Sequence, residues 1–170
     1  MKLREEILKE HSKTQTTRIV NYIGNDAERF GELMDLFFND EYRVCQRAAW
    51  SVSYCGREHP KLLHPYIKKM LNNLNNPVHD AVKRNTVRVL QNIRIPKALQ
   101  GLAVKQCFQL LEANEPIAVK VFSMSLLGNI AKEHPELKHE LKILIETQIP
   151  FASKGFLSRA GKVLKELEKL

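Results

Sequence analysis

Glycine and proline are scarce, with only 7 of each in 170 residues. A fold of many short strands needs frequent turns, so this shortage favours helices of three turns or more. No stretch approaches the ~18 uninterrupted apolar residues of a membrane span, because Lys, Arg, Glu, Asn or Gln breaks every apolar segment. The opening MKLREEILKEHSK has charges on both sides of a short apolar pair. It lacks the apolar stretch and small-residue cleavage site of a secretory signal, so the expectation is a cytoplasmic chain with no membrane partner.

Cysteine is also sparse. Cys45, Cys55 and Cys107 form no CxxC pair. Cys45 and Cys55 fall on one expected helix, about 15 Å apart at ~1.5 Å per residue, too far to bridge. They read as core thiols of a reducing compartment. Phosphate-loop and catalytic motifs are missing as well. Gly24-Asn-Asp-Ala-Glu-Arg-Phe-Gly31 carries two glycines but no Lys-Ser/Thr after them, so it reads as a turn between helices. The pairs His59/His64 and His134/His139 are spaced i, i+5, which rotates the second ring off the face of the first, and no Cys or carboxylate cluster stands beside them. No catalytic residue, metal site or cofactor is expected.

What the chain does contain is a period. The segments Trp50–Gly56, Val87–Ile93, Met124–Ile130 and Gly161–Leu167 begin at steps of 37 residues, each with an apolar third position: Val52, Val89, Leu126 and Val163. A second echo, Arg57-Glu-His-Pro-Lys-Leu62 and Lys132-Glu-His-Pro-Glu-Leu137, is spaced by 75 residues. Amphipathic runs at roughly 27–39, 61–75, 98–112 and 136–148 fall between the repeated segments, so each period holds two helices. Turn chemistry marks the boundaries at Gly24-Asn-Asp26, Asn39-Asp40, Asn75-Asn-Pro77, Asn114-Glu-Pro116 and Gln148-Ile-Pro150. The expectation is one all-α domain over 1–170. It is an α-solenoid of about four stacked antiparallel helix pairs at 16–40, 41–77, 78–115 and 116–152, with a capping helix at 153–170.

The period, the run Asp40-Glu-Tyr-Arg-Val-Cys-Gln-Arg-Ala-Ala49 and the run Leu-Leu-Gly-Asn-Ile130 resemble HEAT repeats, whose units often carry an Asp, then Val and Arg, then paired Ala. Only the unit at 41–77 has the Ala pair; Asn85-Thr86 and Phe122-Ser123 stand there in the next two. This departure leaves armadillo-type repeats open. The resemblance implies a recognition scaffold whose second helices, 61–75 and 98–112, line a concave side. They would present His64, Lys68, Asn72, Gln100, Lys105 and Gln109 there.

The charge is uneven. Residues 41–105 carry 12 Lys and Arg against 3 acids, and the flanks are close to neutral, so the net +8 resides in the centre. Such a surface attracts an acidic protein or peptide, or a phosphate backbone. The residues singled out for partner contact are Arg43, Arg47, His64, Lys68, Lys69, Arg84, Arg88, Lys97 and Lys105. Arg43, Arg47, Arg84 and Arg88 belong to first helices, which splits the basic patch over two sides. A non-catalytic scaffold for an acidic protein or peptide is the leading reading, and nucleic-acid binding is the alternative. One enzymatic version of the alternative rests on a further resemblance, to the HEAT-like DNA glycosylases that excise alkylated bases, with Trp50 and Asp80 as the candidate aromatic and acid. By register with Val87 and Met124, Trp50 is instead expected in the core. Tyr42, Tyr54, Tyr66, Phe151 and Phe156 are candidate interface anchors. The oligomeric state stays open.

Overall fold

The computed structural model describes residues 1–170 and contains ten α-helices, three short 3-10 segments and no strand. Its chain contacts divide it into two compact units, Met1–Val89 and Leu90–Leu170. No helix is long and apolar enough to cross a membrane.

The first unit holds α1 (Leu3–Lys9), α2 (Lys13–Ile23), α3 (Ala27–Asn39), α4 (Tyr42–Glu58), a 3-10 segment (Pro60–Tyr66) and α5 (Ile67–Asn73). Nearly all of α6 (Asp80–Leu90) belongs to it too. α2 starts at Lys13 because the Ser12 hydroxyl accepts the Gln15 N–H at 3.1 Å. It stops at Gly24, whose φ of 52° is open to glycine at little cost. Asp26 then caps α3, accepting the N–H groups of Glu28 and Arg29 at 3.0 Å. α3 packs on α4, and Leu33, Met34, Phe37, Val44, Ala48 and Val52 are buried from these two helices. Each fully buried Leu or Phe contributes about 1.5–3 kcal/mol.

The expected run at 61–75 is not one helix. Pro65 has no N–H to donate, and the chain stays in 3-10 form through Tyr66 before α5 begins. The segment still docks, with Tyr66 edge-on to Phe30 at 5.7 Å.

The second unit holds α7 (Lys97–Glu112), α8 (Ile117–Ala131), a 3-10 turn (Pro135–Leu137) and α9 (Lys138–Gln148). A further 3-10 turn (Ile149–Phe151) and α10 (Lys154–Leu167) complete it. α8 packs against both α7 and α10, which is why Met124, Leu126, Leu127, Ile130 and Ala131 are all buried. α10 buries Phe156, Ala160, Val163 and Leu167 as one stripe and exposes Lys162, Lys165 and Glu166. The apolar third position of the period is buried in all four copies: Val52 1%, Val89 1%, Leu126 1% and Val163 5% exposed.

All three cysteines are free thiols. Burial pushes Cys55 and Cys107 up to about 12.

Candidate functional site

α4 has two faces. Val44, Ala48, Val52 and Cys55 are buried, while Arg43, Arg47, Trp50, Tyr54 and Arg57, spaced by four, three, four and three residues, form a stripe on the other side. α6 adds Arg84 and Arg88, one turn apart. His11, in the short link between α1 and α2, lies against Trp50 with ring centroids 5.4 Å apart. His11, Trp50, Tyr54, Arg84, Asn85 and Arg88 line a cavity of about 290 Å³, and no acid is among them.

Tyr54 organises the cations. The Arg57 guanidinium carbon lies 4.8 Å from the ring centroid and that of Arg88 5.4 Å, both within cation–π range. A hydrogen bond from Trp50, then the hydrogen bond and charge of Arg88, hold the Tyr54 phenol below its usual range. Burial, followed by the charges of Arg47 and Arg84, holds His11 below its ordinary 6.5. Asn85 is 2% exposed. Its amide nitrogen donates to the Ala81 carbonyl at 2.8 Å, and its Oδ1 accepts no hydrogen bond.

The nine expected contact residues are dispersed. Arg84 and Arg88 line the cavity. Arg43 shares their neighbours' stripe on α4. Arg47 is committed elsewhere, donating to the carbonyls of Leu8 at 2.7 Å and Ile7 at 3.3 Å, where α1 ends with unpaired acceptors. His64 and Lys68 are exposed, and Lys69 sits 4.4 Å over the Phe38 ring of α3; none of the three borders the cavity. Lys97 and Lys105 are exposed on α7, in the second unit. Gln100, expected on an exposed face, is instead buried at 5% exposure. The Ile95 carbonyl and Glu133 carboxylate accept from its nitrogen, and its oxygen meets His134 Nε2 at 2.7 Å.

Trp50 also departs from expectation. Val87 and Met124, one and two periods on, are fully buried, whereas Trp50 is half-exposed and lines the cavity. Its position falls on the polar stripe of α4, so the indole buries one side against His11 and Tyr54. Asp80, the candidate acid of the base-excision reading, is exposed at the start of α6 and does not line the cavity. Of the candidate anchors, Phe151 is 92% and Tyr42 64% exposed, Tyr54 and Tyr66 are half-buried, and Phe156 is buried.

The second unit has its own cavity, about 270 Å³, with Arg94, Gln100 and Glu133 in its lining. Its charges are internally matched. Arg94 grips Glu133 through two bonds of 3.1 Å, which holds that carboxyl below the usual range with help from Gln100. No group of three or more His, Cys, Asp or Glu side chains is placed to hold a metal ion.

A sequence model of the HEAT repeat domain matches residues 3–167. The chain therefore belongs to the HEAT repeat family, a class of helical-repeat scaffolds that commonly mediate protein interactions and are generally non-catalytic. No curated protein matches the chain, and no solved structure does.

Proposed function

We propose that the chain is a non-catalytic scaffold whose first unit binds an acidic protein or peptide through the face built by α4 and α6. The observation that carries this reading is the joint placement of Arg57 and Arg88 over one ring, Tyr54, with Arg84 lining the same cavity as Tyr54 and Arg88. Guanidinium groups gathered around one ring concentrate positive charge on this face. Such a face attracts an anionic partner, and long-range attraction speeds its arrival. The neighbouring tyrosine rigidifies the guanidinium groups, which lowers the ordering cost of binding.

Nucleic acid is the competing partner, since the same charge attracts phosphate. It is the weaker reading here because proteins that hold single strands stack bases on aromatic faces. Tyr54 is already covered by two guanidinium groups, and Trp50 is engaged by His11.

The test is fluorescence anisotropy with a labelled acidic peptide, duplex DNA and single-stranded DNA and RNA, at about 50 and 200 mM salt, where phosphate binding changes most. Peptide binding that Arg57→Glu with Arg84→Glu abolishes is the expected result. Nucleic-acid binding in the micromolar range that collapses with salt, with no peptide binding, replaces this reading by its rival.

A further inference from the structure

The second unit carries a further cavity, of about 380 Å³, where the α7–α8 and α9–α10 links meet. Ile117 and Lys120 of α8, Gln148 at the end of α9, Phe151 and Ser153 of the following link and Phe156 of α10 are in its lining. Phe151 is at once part of this wall and the most exposed large apolar side chain of the protein, 92% in solvent.

We propose that this patch is a self-association surface, on which two copies of the chain meet about a two-fold axis and each inserts Phe151 into the cavity of the other. The polar groups of the cavity already serve the fold. Gln148 Nε2 donates to the Leu111 carbonyl at 3.1 Å, its Oε1 accepts from Lys120 Nζ at 2.9 Å, and the Ser153 hydroxyl accepts the Phe156 N–H at 3.4 Å. What they leave to an occupant is apolar contact with Ile117, Phe151 and Phe156. An apolar cavity of ~150 Å³ holds a benzene ring, so this one admits a phenylalanine side chain with its stem. The chain supplies that side chain at the edge of the same cavity. A knob beside its own hole is the arrangement that a two-fold contact needs, because each copy then offers the other both halves of the fit. The knob is also held in place: Pro150 sets a 3-10 turn, closed by the Ala152 N–H on the Ile149 carbonyl at 3.1 Å, so little ordering is left to do on contact.

Charge and area favour a second copy as the occupant. Residues 41–105 hold 12 Lys and Arg against 3 acids, whereas residues 106–170 hold 9 against 8. Copies that approach through the basic centre repel, and copies that approach through this nearly neutral end do not. The cavity rim carries one charge of each sign, Glu115 and Lys120, which a two-fold arrangement sets against their opposites. An acidic partner of the α4–α6 face has no such match here. Phe151 leaves about 150–200 Å² in water, and Ile117 and Ile149, 50% and 36% exposed, bring the apolar patch to roughly 300 Å². Two such patches with their polar rims bury about 1,000 Å² in total, at the weak end of specific interfaces.

The experiment is sedimentation equilibrium of the whole chain from about 5 to 500 µM, the range suited to so small an interface, at about 50 and 500 mM salt. The average mass should climb from 19.6 kDa toward twice that value and stop there, and added salt should not loosen the dimer. Phe151→Ser, a change at an exposed side chain, should weaken association about tenfold or more, and Ile117→Lys should do the same. Tyr42→Ser removes the other strongly exposed aromatic, in the first unit, and should change it less than about twofold. Circular dichroism of each variant confirms that it folds. A chain that stays monomeric at about 500 µM overturns the proposal, as does association that Phe151→Ser leaves intact or that Tyr42→Ser weakens equally. Masses that keep growing past the dimer replace the closed two-fold contact by an open one. Flotation with phosphatidylserine vesicles that requires Phe151, in a chain that forms no dimer, reassigns the patch to a lipid surface. None of these outcomes bears on the α4–α6 face, whose peptide binding is measured separately.

Discussion

Gly56 and Val89 lie so near each other that a methyl group on Gly56 would stand 2.8 Å from Val89 Cγ2, and equally close to Leu63 Cγ. The missing side chain lets α4 and α6 approach, and these two helices carry Tyr54, Arg57, Arg84 and Arg88. Gly56→Ala should therefore cost about 1–3 kcal/mol through overpacking and also weaken peptide capture by spreading the cations. Gly161, on the exposed side of α10 with nothing within 4 Å of an added methyl, behaves oppositely. Gly161→Ala should stabilise by about 0.5–1 kcal/mol, and urea denaturation of both variants checks the pair.

Asn85 is an acceptor buried without a partner, which costs about 1–3 kcal/mol of desolvation. Removing it with Asn85→Ala sacrifices only the bond to Ala81 and gains helix propensity. Stability should hold or rise by up to about 1 kcal/mol in urea denaturation. A variant that loses more than about 1 kcal/mol contradicts the cost assigned to the unpaired acceptor.

Acid should destabilise the chain through specific carboxylates. Glu133 and Asp40 have pKa values lowered mainly by hydrogen bonds from Arg94 and Arg4. A lowered folded-state pKa adds stability above the ordinary carboxylate range, and this is lost as pH falls through the depressed value. Melting temperature should thus drop below about pH 4.5, and the drop should be shallower in Glu133→Gln. Identical acid profiles for the two proteins contradict the assignment.

The thiols should be inert in the folded chain. Cys55 and Cys107, at about 12, hold almost no thiolate near neutrality, and burial raises Cys45 as well. Absorbance with an aromatic disulfide reagent should show slow reaction in native buffer and three rapid equivalents in denaturant. Rapid reaction of all three in native buffer runs against this burial.

The helices were legible because they repeat. His59 and His134 illustrate it: they precede proline in the two copies of the echo and adopt the same backbone, φ −131°, ψ 71° and φ −134°, ψ 73°. Proline restricts the residue before it in the same way each time. The site was harder to read. Its stripe on α4, Arg43-Arg47-Trp50-Tyr54-Arg57, has helical spacing and was open to view, yet the period assigned Trp50 to the core by analogy with Val87. Arg47 and Gln100 were misjudged for a different reason. Both partners of Arg47 and two of the three partners of Gln100 lie 33–40 residues away, which no local pattern reports. His11 lay outside the basic segment, and only the packing of Trp50 brings it to the cavity.

The most direct test of the account is a two-dimensional ¹H–¹⁵N NMR titration of the chain with hexaglutamate. Binding at the α4–α6 face predicts that the Trp50 indole, the Arg57, Arg84 and Arg88 side chains and the His11 ring shift together, while the amides of Lys68, Lys69 and Lys105 stay in place. Shifts centred on α5 or α7, with the Trp50 indole unmoved, contradict it.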